Sequence, residues 1–291
     1  YATLSSDTKG ERAVAIGEGA LNNQNFTTET NNYNVGIGYN AGYAVTTGVN
    51  NTLIGGLAGD AITASNDNVA VGVGAMTTNT LSSENVAIGR SALQELNHTS
   101  ATDGFNTAVG SDAGKLVTIG IQNTLVGGKA GDALTDADFN TAIGFQALTS
   151  DTQGSGATAI GREALNNQNF TSATTNYNTA VGYQAGRAVT TGVQNTFVGS
   201  QCGDATDDGN YNTAIGYLAL SANCGNSNAA LGYLALSQAT GSDNTAVGPV
   251  SGYEVTSGSN NSFLGHDAGR TGSPGGAATT GSDSIYIGDE N

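Results

Sequence analysis

Sixteen times along the chain an aliphatic residue precedes a glycine at nearly fixed spacing, at Gly17, Gly38, Gly55, Gly72, Gly89, Gly110, Gly127, Gly144, Gly161, Gly182, Gly199, Gly216, Gly232, Gly248, Gly265 and Gly288. With each glycine counted as zero, position −1 is Ile, Val or Leu in all sixteen, and −4 is Asn in thirteen. Position −2 is most often Ala, −3 mostly Thr or Val, and +3 Ala except at Cys202, Ser251 and Asn291. Alternation of −3 and −1 about −2 is the period of a strand with one buried face, and β-branched residues suit such a strand. The −1 aliphatics are the expected core, which places the threonines at −3 (Thr107, Thr124, Thr141, Thr158, Thr179, Thr196, Thr213) on the same inner face. Glycine at zero lets the chain bend. Alanine at +3 leaves a thin interior, so two strands per coil are expected to approach closely. Nowhere does an apolar i, i+3, i+4, i+7 pattern run over three turns, so helices are not expected.

The spacing runs 21, 17, 17, 17 and then repeats, which lays a 72-residue period over the shorter one. Such repeats mean a solenoid, whose units bury their apolar sides by stacking on neighbours. At ~4.8 Å per coil the repeats imply a rod of roughly 75 Å. The expected fold is therefore all-β, a parallel β-solenoid of about sixteen coils of 16–21 residues. Residues 1–12 read as a lead-in or joining segment and 13–291 as one repeat domain. Where +4 is Leu or Met, as at Leu21, Met76 and Leu165, +7 is usually polar; where +4 is Gly, +7 is usually aliphatic, as at Val45, Ile62 and Val189. Both choices fill one hole in a close-packed interior.

The asparagine column (Asn34, Asn51, Asn68, Asn85, Asn106, Asn123, Asn140, Asn178, Asn195, Asn212) fits an internal ladder of side-chain amides between coils, with a surface binding row as the other reading. Aromatic residues recur at +1 (Tyr39, Phe145, Tyr183, Tyr217, Tyr233) and at −5 (Tyr33, Phe105, Phe139, Tyr177, Tyr211). They suit stacking on sugar rings, cross-strand pairing or contacts between chains. Acidic turns recur at Asp60, Asp132 and Asp204, and Asp204, Asp207 and Asp208 together are a weak Ca²⁺ candidate without a recognised calcium-loop motif. No other metal site and no cofactor is expected. Each 21-residue coil carries extra residues, at 21–33, 93–105 and 165–177, either as a binding face or as a spacer that sets register. Cys202 and Cys224 read as small buried residues ahead of a disulfide, and two distant histidines assemble no zinc spacing or catalytic group.

Composition narrows the function. A net charge of −16 with no basic cluster argues against nucleic acid. No apolar run approaches the ~20 residues of a membrane-spanning helix. The chain opens on Tyr1, so a processed product or a fragment is expected, with bare solenoid edges suited to end-to-end pairing.

The run Asn85-Val-Ala-Ile-Gly-Arg-Ser-Ala92 resembles the repeat of YadA-like trimeric autotransporter adhesin heads, and nearly the whole chain from about Ala13 carries that resemblance. Asn-Thr-Ala-Val-Gly-Tyr-Gln-Ala-Gly at 178–186 is also similar to repeats of phage tail-fibre-like proteins. The resemblance implies a left-handed parallel β-roll, three chains side by side, and an adhesive head or shaft on a cell or virion surface. Its coils are longer than those of adhesin heads. The left-handed hexapeptide helix of acyltransferases fits less well, since only one such unit falls in each coil. The expected function is a non-enzymatic extracellular fibre or adhesin segment that attaches to cells or glycans, with its own copies as partners. The alternative is a structural subunit of a filament stacked end to end. An ice-binding solenoid would need the −3 threonines on an outer face.

Overall fold

The computed structural model describes residues 3–273 and 275–288. The last +3 residue, Asn291, lies outside them, as do Tyr1 and Ala2 of the lead-in segment. The fold is an all-β parallel solenoid with no helix among the described residues. Contacts divide the chain into two compact units, Tyr1–Phe145 and Gln146–Asn291. Coils are numbered below by their glycines, coil 1 at Gly17 to coil 16 at Gly288.

In the first unit each coil gives one three-residue strand to a parallel sheet, from Val14–Ile16 through Val35–Ile37 and Thr52–Ile54 to Thr141–Ile143. Equivalent residues pair in register, as Thr107 with Thr124 and Val109 with Val126. The second unit repeats the arrangement from Thr158–Ile160 to Ile285–Ile287. The opposite wall is made of turns, not of the second strand expected in every coil. It is still laddered: the +4 amide donates to the +3 carbonyl of the next coil, as from Leu21 to Ala41 O at 3.0 Å and from Gly42 to Ala58 O at 2.9 Å. Among the described residues second strands occur only beside the 21-residue coils, as the short pairs Gly10–Glu11 with Thr30–Asn31, Ser82–Ser83 with Thr102–Asp103, and Gly154–Ser155 with Thr174–Thr175.

Inside and outside are the reverse of the expectation. The −2 residue is buried in every coil but the first and last, while no −3 or −1 residue is buried. Position +3 is small in every described coil, and −2 is mostly Ala but also holds the buried Leu53, Leu125, Phe197 and Phe263. The β-branched −3 and −1 residues point to the outer face, threonines included. An aliphatic column is thus left on the outer face, because the −2, +3, +4 and +7 side chains already fill the interior.

The remaining core volume is filled as the +4/+7 covariation implies. Leu21, Met76, Leu93, Leu148, Leu165, Leu220 and Leu236 are fully buried at +4. A Cβ at Gly59 would meet Leu53 at 2.7 Å and Ile62 at 2.9 Å; at Gly131 it would meet Leu125 and Leu134, both at 2.8 Å. In coil 11 the Phe197 ring takes this space alone, with ring atoms 2.5 Å from a Cβ at Gly203, and +7 is Thr206. The zero glycines are irreplaceable for another reason. Gly182 has φ +142°, and a side chain there would overlap the carbonyl of Gly199.

The segment 1–12 is, over its described residues, the second half of a further coil. Leu4 donates its amide to Ala20 O at 3.0 Å in the +4 manner, in the same left-handed conformation as Leu21 and Met76.

Candidate interaction surface

The asparagine column lies inside. Asn51 N donates to Asn34 Oδ1 at 2.9 Å, Asn68 N to Asn51 Oδ1 at 3.1 Å and Asn123 N to Asn106 Oδ1 at 3.0 Å. In the second unit Asn195 N donates to Asn178 Oδ1 and Asn212 N to Asn195 Oδ1, each at 2.9 Å. Side chains of the column also donate to backbone carbonyls, as Asn106 Nδ2 to Gly120 O at 2.9 Å. Buried amides need such partners.

Where −4 is Ala (Ala13 and Ala157) the ladder breaks, and a second network closes the gap. Gln24 Oε1 accepts from Asn34 Nδ2 at 2.9 Å, and Gln24 Nε2 donates to Asp7 Oδ2 at 2.6 Å. Asn32 Oδ1 accepts from Asn34 N at 2.9 Å. The same atoms recur 144 residues on, with Gln168, Asp151, Asn176 and Asn178 at 2.8, 2.6 and 2.9 Å. In the middle 21-residue coil Asn85 keeps the ladder whole, and the corresponding positions carry Leu96, Asn79 and Gly104. Burial pushes the Asp7 carboxyl up, but the Gln24 side chain and the amides of Gly10, Phe26 and Lys9 outweigh it and hold it below its usual value. The identical offsets of Asp7, Gln24 and Asn32 from Asp151, Gln168 and Asn176 were the available signal for this network, and it passed unread in the sequence.

The outer face carries the candidate binding residues. Tyr39 and Phe145 are exposed at +1 in the first unit, and Tyr183, Tyr217 and Tyr233 in the second. Arg162 lies 5.8 Å from the centre of the Tyr183 ring. Tyr217 and Tyr233 stack on each other, with centroids 5.9 Å apart and planes at 11°. Each therefore covers one face of the other. The −5 aromatics are exposed as well. Every −5 residue, from Arg12 to Asp283, has a left-handed backbone. Coils 2, 8, 10 and 12 carry aromatics at both borders of the outer strand: Tyr33 and Tyr39, Phe139 and Phe145, Tyr177 and Tyr183, Tyr211 and Tyr217. Between the borders stand only the −3 and −1 side chains, and neither column contains a charge in any coil.

The acidic residues are dispersed. Asp207 accepts a short hydrogen bond from Thr190 Oγ1, and Asp208 is exposed. Burial raises the Asp204 carboxyl above its usual value, against a lowering by Arg187, and burial also raises Asp60, whose Oδ1 has no partner. Among the described residues no group of three or more His, Cys, Asp or Glu is placed to hold a metal ion. Cys202 and Cys224 are buried free thiols, and burial pushes Cys202 up to about 12. His98 replaces the buried Phe26 and Phe170 of the other two 21-residue coils, with Nε2 2.9 Å from Ile119 O. His266 lies 3.2 Å from Asp267. Among the described residues no helix is long and apolar enough to cross a membrane. Comparisons of the chain with family models, with curated proteins and with solved structures found no significant match.

Proposed function

We propose that the chain is a non-enzymatic segment of an extracellular fibre or adhesin on a cell or virion surface, built from three copies lying side by side as left-handed β-rolls. The observation that carries this reading is the uncovered aliphatic column. Ile, Val or Leu stands at −1 in every coil, outside the core, and neither the −3 nor the −1 column holds a charge. Continuous apolar surface of this kind marks a contact face. In each unit eight coils at ~4.8 Å, with the outer face from the −5 to the +1 border roughly 20 Å across, offer about 800 Å². That is the share of one partner in a standard interface, about 800 Å². The acidic residues lie off both columns, where the charge of −16 keeps assembled fibres apart.

Attachment to cells or glycans is assigned to the sides that stay outside the assembly, including the 21-residue coils. Light scattering on the native protein, with negative-stain electron microscopy, tests the assembly. The expected mass is three times the 28.9 kDa chain, as short discrete rods. A 28.9 kDa particle at micromolar concentration would refute it, and continuous filaments would favour end-to-end stacking. Glycan-array binding weakened by shortening the 165–177 loop is expected of the adhesin role; unchanged binding would remove that loop from it.

A further inference from the structure

On the side-by-side reading above, a second question arises from the repeat itself. The −3 and −1 columns differ little from coil to coil, so a copy shifted along the axis by one coil, ~4.8 Å, covers almost the same apolar area. Repetitive strand faces specify register weakly. We infer that the coils with aromatic residues at both borders are the register keys, each locking onto the same coil of a second copy of this chain.

The second unit shows the pattern most fully. In coil 10 Tyr177, Thr179, Val181 and Tyr183 all stand outward; in coil 12 Tyr211, Thr213, Ile215 and Tyr217 do the same. Coil 11 between them has Gln194 and Ser200 at the borders, and coil 9 has Gly156 and Arg162. When copies are related by rotation about an axis parallel to the stack, the −5 border of one meets the +1 border of the next at the same level. An aromatic residue on both borders of one coil is what that contact needs. A shift by one coil sets Tyr177 or Tyr183 against Gln194, Ser200, Gly156 or Arg162. A shift by two coils matches only one of the two keys. Exposed aromatics anchor interfaces in this way, surrounded by near-neutral contacts.

Two features point to selection of the side chain and not of the backbone. The −5 position is left-handed in every coil, which suits the Asn50, Asp67, Asp243 and Asn260 found in others, yet Tyr177 (φ 51°) and Tyr211 (φ 61°) hold it as bulky aromatics. The +1 rings are also held in place, Tyr183 by Arg162 and Tyr217 by stacking on Tyr233. In the first unit coils 2 and 8 carry the same double border.

The test uses the full chain with a spin label on Asp208→Cys, an exposed position, and pulsed electron paramagnetic resonance of the assembly. The otherwise unaltered protein is expected to give one narrow inter-chain distance. The variant with serine at all eight border rings, Tyr33, Tyr39, Phe139, Phe145, Tyr177, Tyr183, Tyr211 and Tyr217, is expected to keep its assembled mass and to show several distances, as shifted registers fill. Gln194→Tyr/Ser200→Tyr, which adds a double border at coil 11, is expected to populate a second register with the native keys intact. A single unchanged distance in both variants would overturn the inference while leaving side-by-side assembly standing. Dissociation of the serine variant to monomers would also overturn it, since the rings would then hold the assembly together and not set its register. A monomeric unsubstituted protein would overturn the side-by-side reading and this inference with it.

Discussion

Phe197 and Thr206 are a trade in volume that a double-mutant cycle can expose. In coils 3 and 7 the space opposite the +4 glycine is shared by two aliphatics, Leu53 with Ile62 and Leu125 with Leu134; in coil 11 the Phe197 ring fills it and +7 shrinks to Thr206. Phe197→Leu removes three carbons from a fully buried site, a loss of about 2 kcal/mol at ~0.8 kcal/mol per methylene. Thr206→Leu forces extra bulk against the intact ring and costs about 1–3 kcal/mol. Made together they rebuild the coil 7 solution, so the pair is expected within about 1 kcal/mol of the parent, a coupling of about 3 kcal/mol. Because repeat arrays open locally, the measurement is hydrogen exchange at the amides of Thr196–Val198 and their neighbours in coils 10 and 12. Additive costs in the double variant would refute the shared-hole account.

Other outcomes follow from the same geometry. Gln168→Leu leaves Asp151 and Asn178 without their buried partner and is expected to cost about 1–3 kcal/mol; adding Ala157→Asn, Asp151→Asn and Asn176→Gly, which copies the middle 21-residue coil, should recover most of it in urea unfolding. Asp60 is raised in the fold, so its contribution is greatest below its unfolded value and is lost as pH rises through the folded one. Asp60→Asn is therefore expected to stabilise at pH 7, with the gain shrinking toward pH 3. Asp7 is lowered, so its contribution holds above the unfolded value and fades as pH falls through the folded one; Asp7→Asn should remove that acid-side dependence. Cys202 and Cys224 should ignore a thiol reagent in the native protein at pH 8 and react once it is unfolded. The outward threonines reopen ice binding on geometric grounds, but side-by-side assembly covers them, so no thermal hysteresis is expected.

The repeat made the solenoid legible, because a fixed glycine spacing with an alternating strand has few other solutions. Column identities were legible too, down to the Leu-or-Gly choice at +4. The facing of the strand was not. Ile and Val at −1 read as core on hydrophobicity, and alternation alone says that −2 faces opposite to −1 without saying which is inside. The columns carried the answer, since −3 is largely Thr and shares a face with −1, while −2 holds only Ala, Gly, Leu, Phe and Tyr. The second strand was over-read for a related reason, as the wall from +2 to +7 runs through left-handed turns at Asn40, Leu21 and Gln184 that hydrophobicity does not reveal. The aromatic double borders were visible as letters but acquired meaning only once −5, −3, −1 and +1 were seen to share a face.

Thiol labelling of two neighbouring substitutions, Ala180→Cys and Val181→Cys, tests the central claim most directly. Ala180 is fully buried and Val181 faces outward in the same strand. Ala180→Cys should stay unreactive in the native protein, and Val181→Cys should react slowly when the chains are concentrated and quickly when dilution separates them. Fast labelling of Val181→Cys at every concentration would contradict a covered face, and reactive Ala180→Cys would contradict the orientation of the strand.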